Sequence, residues 1–323
     1  MARVLITGVT GFIGSQLAEK LVGMGHTVYG MTRHCASRDL KPLEKILSEM
    51  VLLTADISDY LSVLQALKSA DPDCIFHLGA LTPVRLSFEK PFEYEQVNYV
   101  GTMNVIHGLT KLPDYKKRRI LVASTAEVYG IQKGEEKPLK EETVLRPSSP
   151  YAVSKAAADL YVRMAAEVYD VDGIVLRPVN TYGRRFETGF IVEYVVTSML
   201  KGKKVYIGAP ESVREYMYVD DHVNAYIHAW ERGRTGEAYN IGTGKGNKNK
   251  DLVEKITDQI HYDDRNVIYG SYPPGYPLRP SVSDQPYIIL DSSKARRHLG
   301  WKPRVELEEG LRRTVEYWKA ILK

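Results

Sequence analysis

Between residues 4 and 176, short apolar and β-branched runs alternate with longer stretches in which apolar positions recur every three or four residues. The runs at 4–7, 27–31, 50–53, 74–77, 120–124 and 173–176 read as strands, and the stretches near 14–24, 60–70, 94–109 and 151–168 as helices. Strands this uniformly apolar are buried on both faces, so the pattern predicts an α/β fold built on a doubly wound parallel sheet. From Arg177 onward glycine and proline multiply, as at 242–246 and 272–280, and the periodic stretches shorten. This predicts a second, smaller α+β lobe. A strand and helix at 216–230 are expected to return to the first lobe. The expected division is 1–178 with 215–243 for the first lobe, and 179–214 with 244–323 for the second.

The first turn adds chemistry to this frame. The segment VLITGVTGFIG puts Gly8, Gly11 and Gly14 directly after a strand and at the start of a helix. Glycines there permit a tight turn and a close backbone approach to a pyrophosphate, which the helix N-terminus then holds. Position makes this a dinucleotide site and the first lobe a dinucleotide-binding domain. After the second strand come Thr32, Arg33 and Arg38, with no carboxylate before Asp39. An arginine suits the 2′-phosphate of NADP and a carboxylate the ribose of NAD, so NADP is expected, with NAD as the alternative. Asp56 and Ile57 fall where an adenine would lie.

Composition narrows the class further. The chain has 323 residues, 44% hydrophobic and 26% charged, with 44 basic against 40 acidic residues. It contains no apolar run long enough for a membrane span, and MARVLITGVTG enters a strand without a leader-like segment. Two distant cysteines, Cys35 and Cys74, make neither a disulfide framework nor a metal site, so a reducing cytoplasm and no metal are expected. The basic cluster at 116–119 reads as a solvated connector, not a nucleic-acid surface.

In SPYAVSKAAADLY, Tyr151 and Lys155 stand four apart on a helix and share one face. A cation about 4 Å from a phenol supplies roughly 4 kcal/mol at an effective dielectric near 20. That is enough to bring a tyrosine down by about three pH units towards neutrality. The strand ILVAST ends in Ser124 and Thr125 at the carboxyl edge where such sheets bind ligands. A hydroxyl there can share a proton with Tyr151.

Together the glycine turn, Thr125, Tyr151 and Lys155 resemble the extended short-chain dehydrogenase/reductase family, and within it the nucleotide-sugar epimerases and dehydratases. The resemblance runs nearly the whole length and implies a Rossmann fold with a nucleotide-sugar lobe. GVTGFIG, with Phe12 and Ile13, is similar to the family's cofactor turn, and HLGA, with Leu78 and Ala80, to its nicotinamide-side strand end. VNYVGTMNV, with Asn98, resembles the helix whose asparagine supports the cofactor. LRPVNTYG, VREYMYVDD and LRPSVSD resemble segments in which Asn180, Arg214 and Arg279 meet the sugar diphosphate. Phe190, Tyr206 and Ile207 read as packing residues. The family pairs through the helices at 94–109 and 151–168, which implies a homodimer.

Members of this group oxidise a nucleotide-diphosphate sugar to a transient ketone, with Tyr151 taking the hydroxyl proton. The branches then diverge. Thr125 and Glu127 fall on one side of the strand end, and this Thr-x-Glu resembles that of GDP-mannose-type 4,6-dehydratases, where the glutamate removes the C5 proton. Ala126 departs from the serine or aspartate of dehydratases and has no proton to give. A 4,6-dehydratase is the leading reading, with a 4-epimerase as the alternative. A uronate decarboxylase, a 4-keto-sugar reductase and a redox-sensing protein without turnover stand behind them.

Overall fold

The computed structural model describes residues 1–33, 39–132, 137–276 and 280–322. In chain order the strands are β1 (Arg3–Thr7), β2 (Thr27–Thr32), β3 (Met50–Thr54), β4 (Cys74–His77), β5 (Arg119–Ala123), β6 (Asp172–Pro178), β7 (Asn180–Tyr182), β8 (Val205–Ile207), β9 (Val213–Tyr218), β10 (Ala238–Ile241), β11 (Gly246–Lys248), β12 (Val267–Tyr269) and β13 (Tyr287–Ile288). The helices are α1 (Phe12–Gly23), α2 (Tyr60–Ala70), α3 (Pro91–Tyr94), α4 (Gly101–Leu109), α5 (Pro150–Val168), α6 (Ile191–Leu200), α7 (Val219–Arg232), α8 (Asn249–Ile260), α9 (Ser293–Leu299) and α10 (Leu307–Ile321).

One parallel sheet runs in the order β10–β6–β5–β4–β1–β2–β3. Its alternating side chains explain the apolar runs. Val4 and Ile6 enter the core shared with α1 and α7, while Leu5 between them enters the core under α2 and α4. The chain leaves β1 on one side for β2 and on the other side for β4, so the ends of β1 and β4 border the crevice where open α/β sheets bind ligands.

Two elements differ from the sequence pattern. The helix expected at 94–109 begins at Pro91 and passes through a π-turn at Glu95–Val100. The strand expected to return to the first lobe, β9, pairs instead with β7, β11 and β13. Only the two elements after β9 come back: α7 packs on α1, β5 and β6, and β10 extends the large sheet beside β6. Around β9 lies a third core of α6, α8 and α10, including Val195, Leu252 and Trp318.

A buried ion pair fastens α5 to the sheet. Arg177 at the end of β6 grips Asp159 through two bonds of 2.8 and 2.9 Å and donates to Tyr129 and the Glu141 carbonyl. Both charges are inaccessible. Asp159→Ala leaves the guanidinium buried without its counter-ion and is expected to cost about 3–5 kcal/mol. Urea unfolding would show this as an early midpoint, and an unchanged midpoint would contradict it.

Candidate active site

The glycine turn is built as its spacing requires. Gly8 has φ +66°, and a Cβ there would meet Gly79 at 2.8 Å. A Cβ on Gly14 would strike the Gly8 carbonyl, and Gly11 N–H donates to that carbonyl at 3.0 Å. Backbone packs on backbone, and the N-terminus of α1 faces a cavity of about 1190 Å³. Gly8, Gly11, Phe12, Ile13 and Gly14 border it, as do Arg33, Asp56, Ile57, Leu78 and Ala80. Arg38 lies outside the described residues. Asn98 does not border the cavity. It is fully buried in the π-turn, where its amide bonds both backbone groups of Leu81 and donates to Ser154. Asn98 thus ties the loop after β4 to the helix that carries Lys155.

The opposite wall holds the reacting groups. Ser149 caps α5 and Pro150 opens it, which places Tyr151 in the first turn and Lys155 one turn on. Thr125 accepts from the Glu127 N–H at 3.2 Å, and its hydroxyl favours the Tyr151 phenolate. Ser124, Thr125, Glu127, Tyr151 and Lys155 all border the cavity. Burial draws Lys155 down to about 8, with Asp159 opposing. Lys155 was expected to bring Tyr151 towards neutrality with the help of an oxidised nicotinamide ring; without the cofactor, Lys155 does not do so alone. Burial pushes the phenol well above its ordinary value, and Glu127 adds to this while the Thr125 hydroxyl works against it. Desolvation of the phenolate outweighs its neighbours.

The cavity suits a dinucleotide. Besides the glycine cradle, residues that border it carry buried polar atoms without a hydrogen-bond partner: Gln16 Nε2, Ser124 Oγ, His222 Nε2 and the Tyr226 hydroxyl. Such atoms are rare unless something binds them.

A second cavity of about 430 Å³ continues from the first. Glu127 and Asn180 border both, so they mark the junction. Arg214 lines the smaller one, buried, with its guanidinium 3.2 Å from Asp284. Burial lowers its pKa and the nearby Glu127 charge raises it. Arg279 lies outside the described residues. Phe190, Tyr206 and Ile207, read as packing from the sequence, all border this cavity. Ile207 does both, because it is a core residue at the cavity edge.

Other residues at the site gave no sequence signal. The Arg85 guanidinium lies 4.3 Å from the Tyr272 ring and 5.0 Å from that of Tyr276, joining the loop after β4 to the segment after β12. Gln285, fully buried, directs its amide nitrogen to the Glu127 carboxylate at 3.3 Å and to the Glu127 carbonyl at 3.4 Å. Among the described residues there is no group of three or more metal-ligating side chains, and no helix is long and apolar enough to cross a membrane.

A glycine-cradled cavity meeting a Tyr/Lys/Thr constellation, with a second cavity beyond it, defines an NAD(P)-dependent enzyme of the Rossmann class. Residues 5–314 match the model of the GDP-mannose 4,6 dehydratase family. The chain is 32% identical to the UDP-glucose 4-epimerase of Mycolicibacterium smegmatis, over 98% of each chain. It is also 32% identical to the dTDP-glucose 4,6-dehydratase of Shigella flexneri, over 98% of this chain and 93% of that one. The dTDP-glucose 4,6-dehydratase of Streptomyces venezuelae, solved with NAD bound, superposes with a TM-score of 0.88 at 27% identity, covering 98% and 97% of the two chains. The chain belongs to the GDP-mannose 4,6-dehydratase family, in the nucleotide-sugar epimerase/dehydratase group of the extended short-chain dehydrogenases/reductases.

Proposed function

We propose that this protein is a nucleotide-diphosphate-hexose 4,6-dehydratase. The observation that carries the reading is Glu127: a carboxylate at the junction of the two cavities, held by Gln285 and by its own N–H on Thr125, on the wall that also carries Tyr151.

The larger cavity takes the dinucleotide, and the smaller one the nucleoside diphosphate, with Asn180 and Arg214 on the phosphates. Bound nicotinamide supplies the acceptor for one hydride and later returns it. Tyr151, relayed through Thr125, removes the proton of the sugar C4 hydroxyl. Charged Lys155 opposes the cost of the buried phenolate. Glu127 then removes the C5 proton, which the new C4 ketone has made acidic. Ala126 is buried and borders neither cavity, so it supplies no acid. The proton for the departing C6 hydroxyl comes from Glu127 itself, water leaves, and the resulting C5=C6 double bond takes the hydride at C6 and a solvent-exchanged proton at C5. Incubation with UDP-, GDP-, dTDP- and CDP-hexoses tests this: one should give a product lighter by one water. Products of unchanged mass would instead make the protein a 4-epimerase, the reading that the absent acid at Ala126 favours.

Arg33 at the edge of the larger cavity supports NADP as the preferred cofactor. Calorimetry should find NADP bound tighter than NAD. Arg33→Ala should weaken NADP about tenfold, the scale of one charge-assisted hydrogen bond. Equal affinities, untouched by the substitution, would refute the preference. The apolar residues Val153 and Leu160, 44% and 54% exposed on α5, support a homodimer through that helix and α4.

A further inference from the structure

Four consecutive residues just before β13 reach three parts of the site. The Ser283 carbonyl accepts from the Ser148 hydroxyl at 3.2 Å, one residue ahead of the cap of α5. Asp284 holds the Arg214 guanidinium at 3.2 Å. Gln285 directs its amide nitrogen to Glu127. The Pro286 carbonyl accepts from the Val213 N–H at 2.9 Å, beside Arg214 at the start of β9. One short strap thus ties together the helix of Tyr151 and Lys155, the arginine of the smaller cavity, and the carboxylate where the two cavities meet.

Gln285 is fully buried and borders neither cavity, so it reaches the chemistry through Glu127. Its amide nitrogen lies 3.3 Å from the Glu127 carboxylate, 3.4 Å from the Glu127 carbonyl and 3.4 Å from the Ser148 hydroxyl. All three act as acceptors, since Ser148 gives its proton to Ser283. That dictates the orientation of the amide: turned over, it would set an oxygen against three oxygens. The amide oxygen is then left buried without a partner. An unbonded buried acceptor costs stability, so a glutamine is a poor choice here as mere filling. Nor does the backbone depend on it, because the Glu127 carbonyl also accepts from the Gly130 N–H at 3.1 Å. What the amide adds is a fixed donor on the carboxylate. With the Glu127 N–H on Thr125 at 3.2 Å, the residue is held at both ends.

We propose that Gln285 is a positioning residue for the proton step at C5: it aims the Glu127 carboxylate, and the strap sets that aim relative to Arg214 and the diphosphate. This rests on the reading of Glu127 as the C5 base. Single-turnover kinetics followed by the absorbance of reduced nicotinamide separate the steps. The signal rises with C4 oxidation and falls when the dehydrated sugar takes the hydride back. Gln285→Met removes the donor at nearly the same length. Gln285→Asn keeps an amide in the buried site but withdraws it by one bond, and carries the test if the methionine unsettles the fold. Both should leave unchanged the rate of the rise and the nucleotide-sugar concentration that half-saturates it. The fall should slow about ten- to a hundredfold, the scale of a hydrogen bond to a charged group. A merely structural residue would slow both phases and raise the half-saturating concentration. That result, or a fall at the wild-type rate while Glu127→Gln stalls with the cofactor reduced, removes Gln285 from this role and leaves the base standing. If Glu127→Gln also completes the fall at the wild-type rate, the base and its positioning residue are overturned together.

Discussion

Glu127→Gln should reduce its bound nicotinamide on meeting substrate and then stop. The amide keeps the shape of the carboxylate, and C4 oxidation draws on Thr125, Tyr151 and Lys155, so the first hydride transfer proceeds. Nothing then removes the C5 proton. The absorbance of the reduced cofactor should persist, and release of deoxy product should fall by about 10²–10⁴-fold, the range of a positioned proton transfer. Rapid return of the absorbance to baseline at nearly wild-type turnover would mean that the carboxylate has no part in the reaction.

Tyr151→Phe should fail one step earlier. Loss of the phenol removes the acceptor for the C4 hydroxyl proton, so no reduced nicotinamide should form and turnover should drop by about 10²–10⁴-fold. Thr125 keeps its bond with the Glu127 N–H, so the wall of the cavity stays in place and cofactor affinity should hold. Activity above about a hundredth of the wild type would remove Tyr151 from its role. The pair of variants separates the chemistry cleanly, since one stalls with the cofactor reduced and the other with it oxidised.

Much of this site was legible in the sequence because its parts are local. A glycine turn between a strand and a helix is recognised by position, and Tyr151 and Lys155 by four-residue spacing. The large sheet was legible because strands buried on both faces, such as Val4–Leu5–Ile6, leave unbroken apolar runs. The hidden part depends on partners far along the chain. Gln285 meets Glu127 across 158 positions, and Arg85 meets Tyr272 across a similar span. No periodicity marks either contact. His222 and Tyr226 sit on an amphipathic helix where the pattern reads both as core, and only the absence of a bonding partner sets them apart. The π-turn turns Asn98 to the Leu81 backbone, which helical spacing alone does not foresee. The ionisation of Tyr151 escapes the sequence for a related reason. Four-residue spacing gives the distance to Lys155 but not the desolvation that opposes it.

The central claim is that Glu127 turns a transient 4-keto sugar into a dehydrated one. It is tested most directly by the mass spectrum of the product formed in deuterium oxide from the hexose that the enzyme accepts. A dehydratase working through Glu127 should yield a sugar nucleotide lighter by one water and carrying one deuterium at C5. A product of unchanged mass with no deuterium would contradict the account and leave a 4-epimerase on this fold.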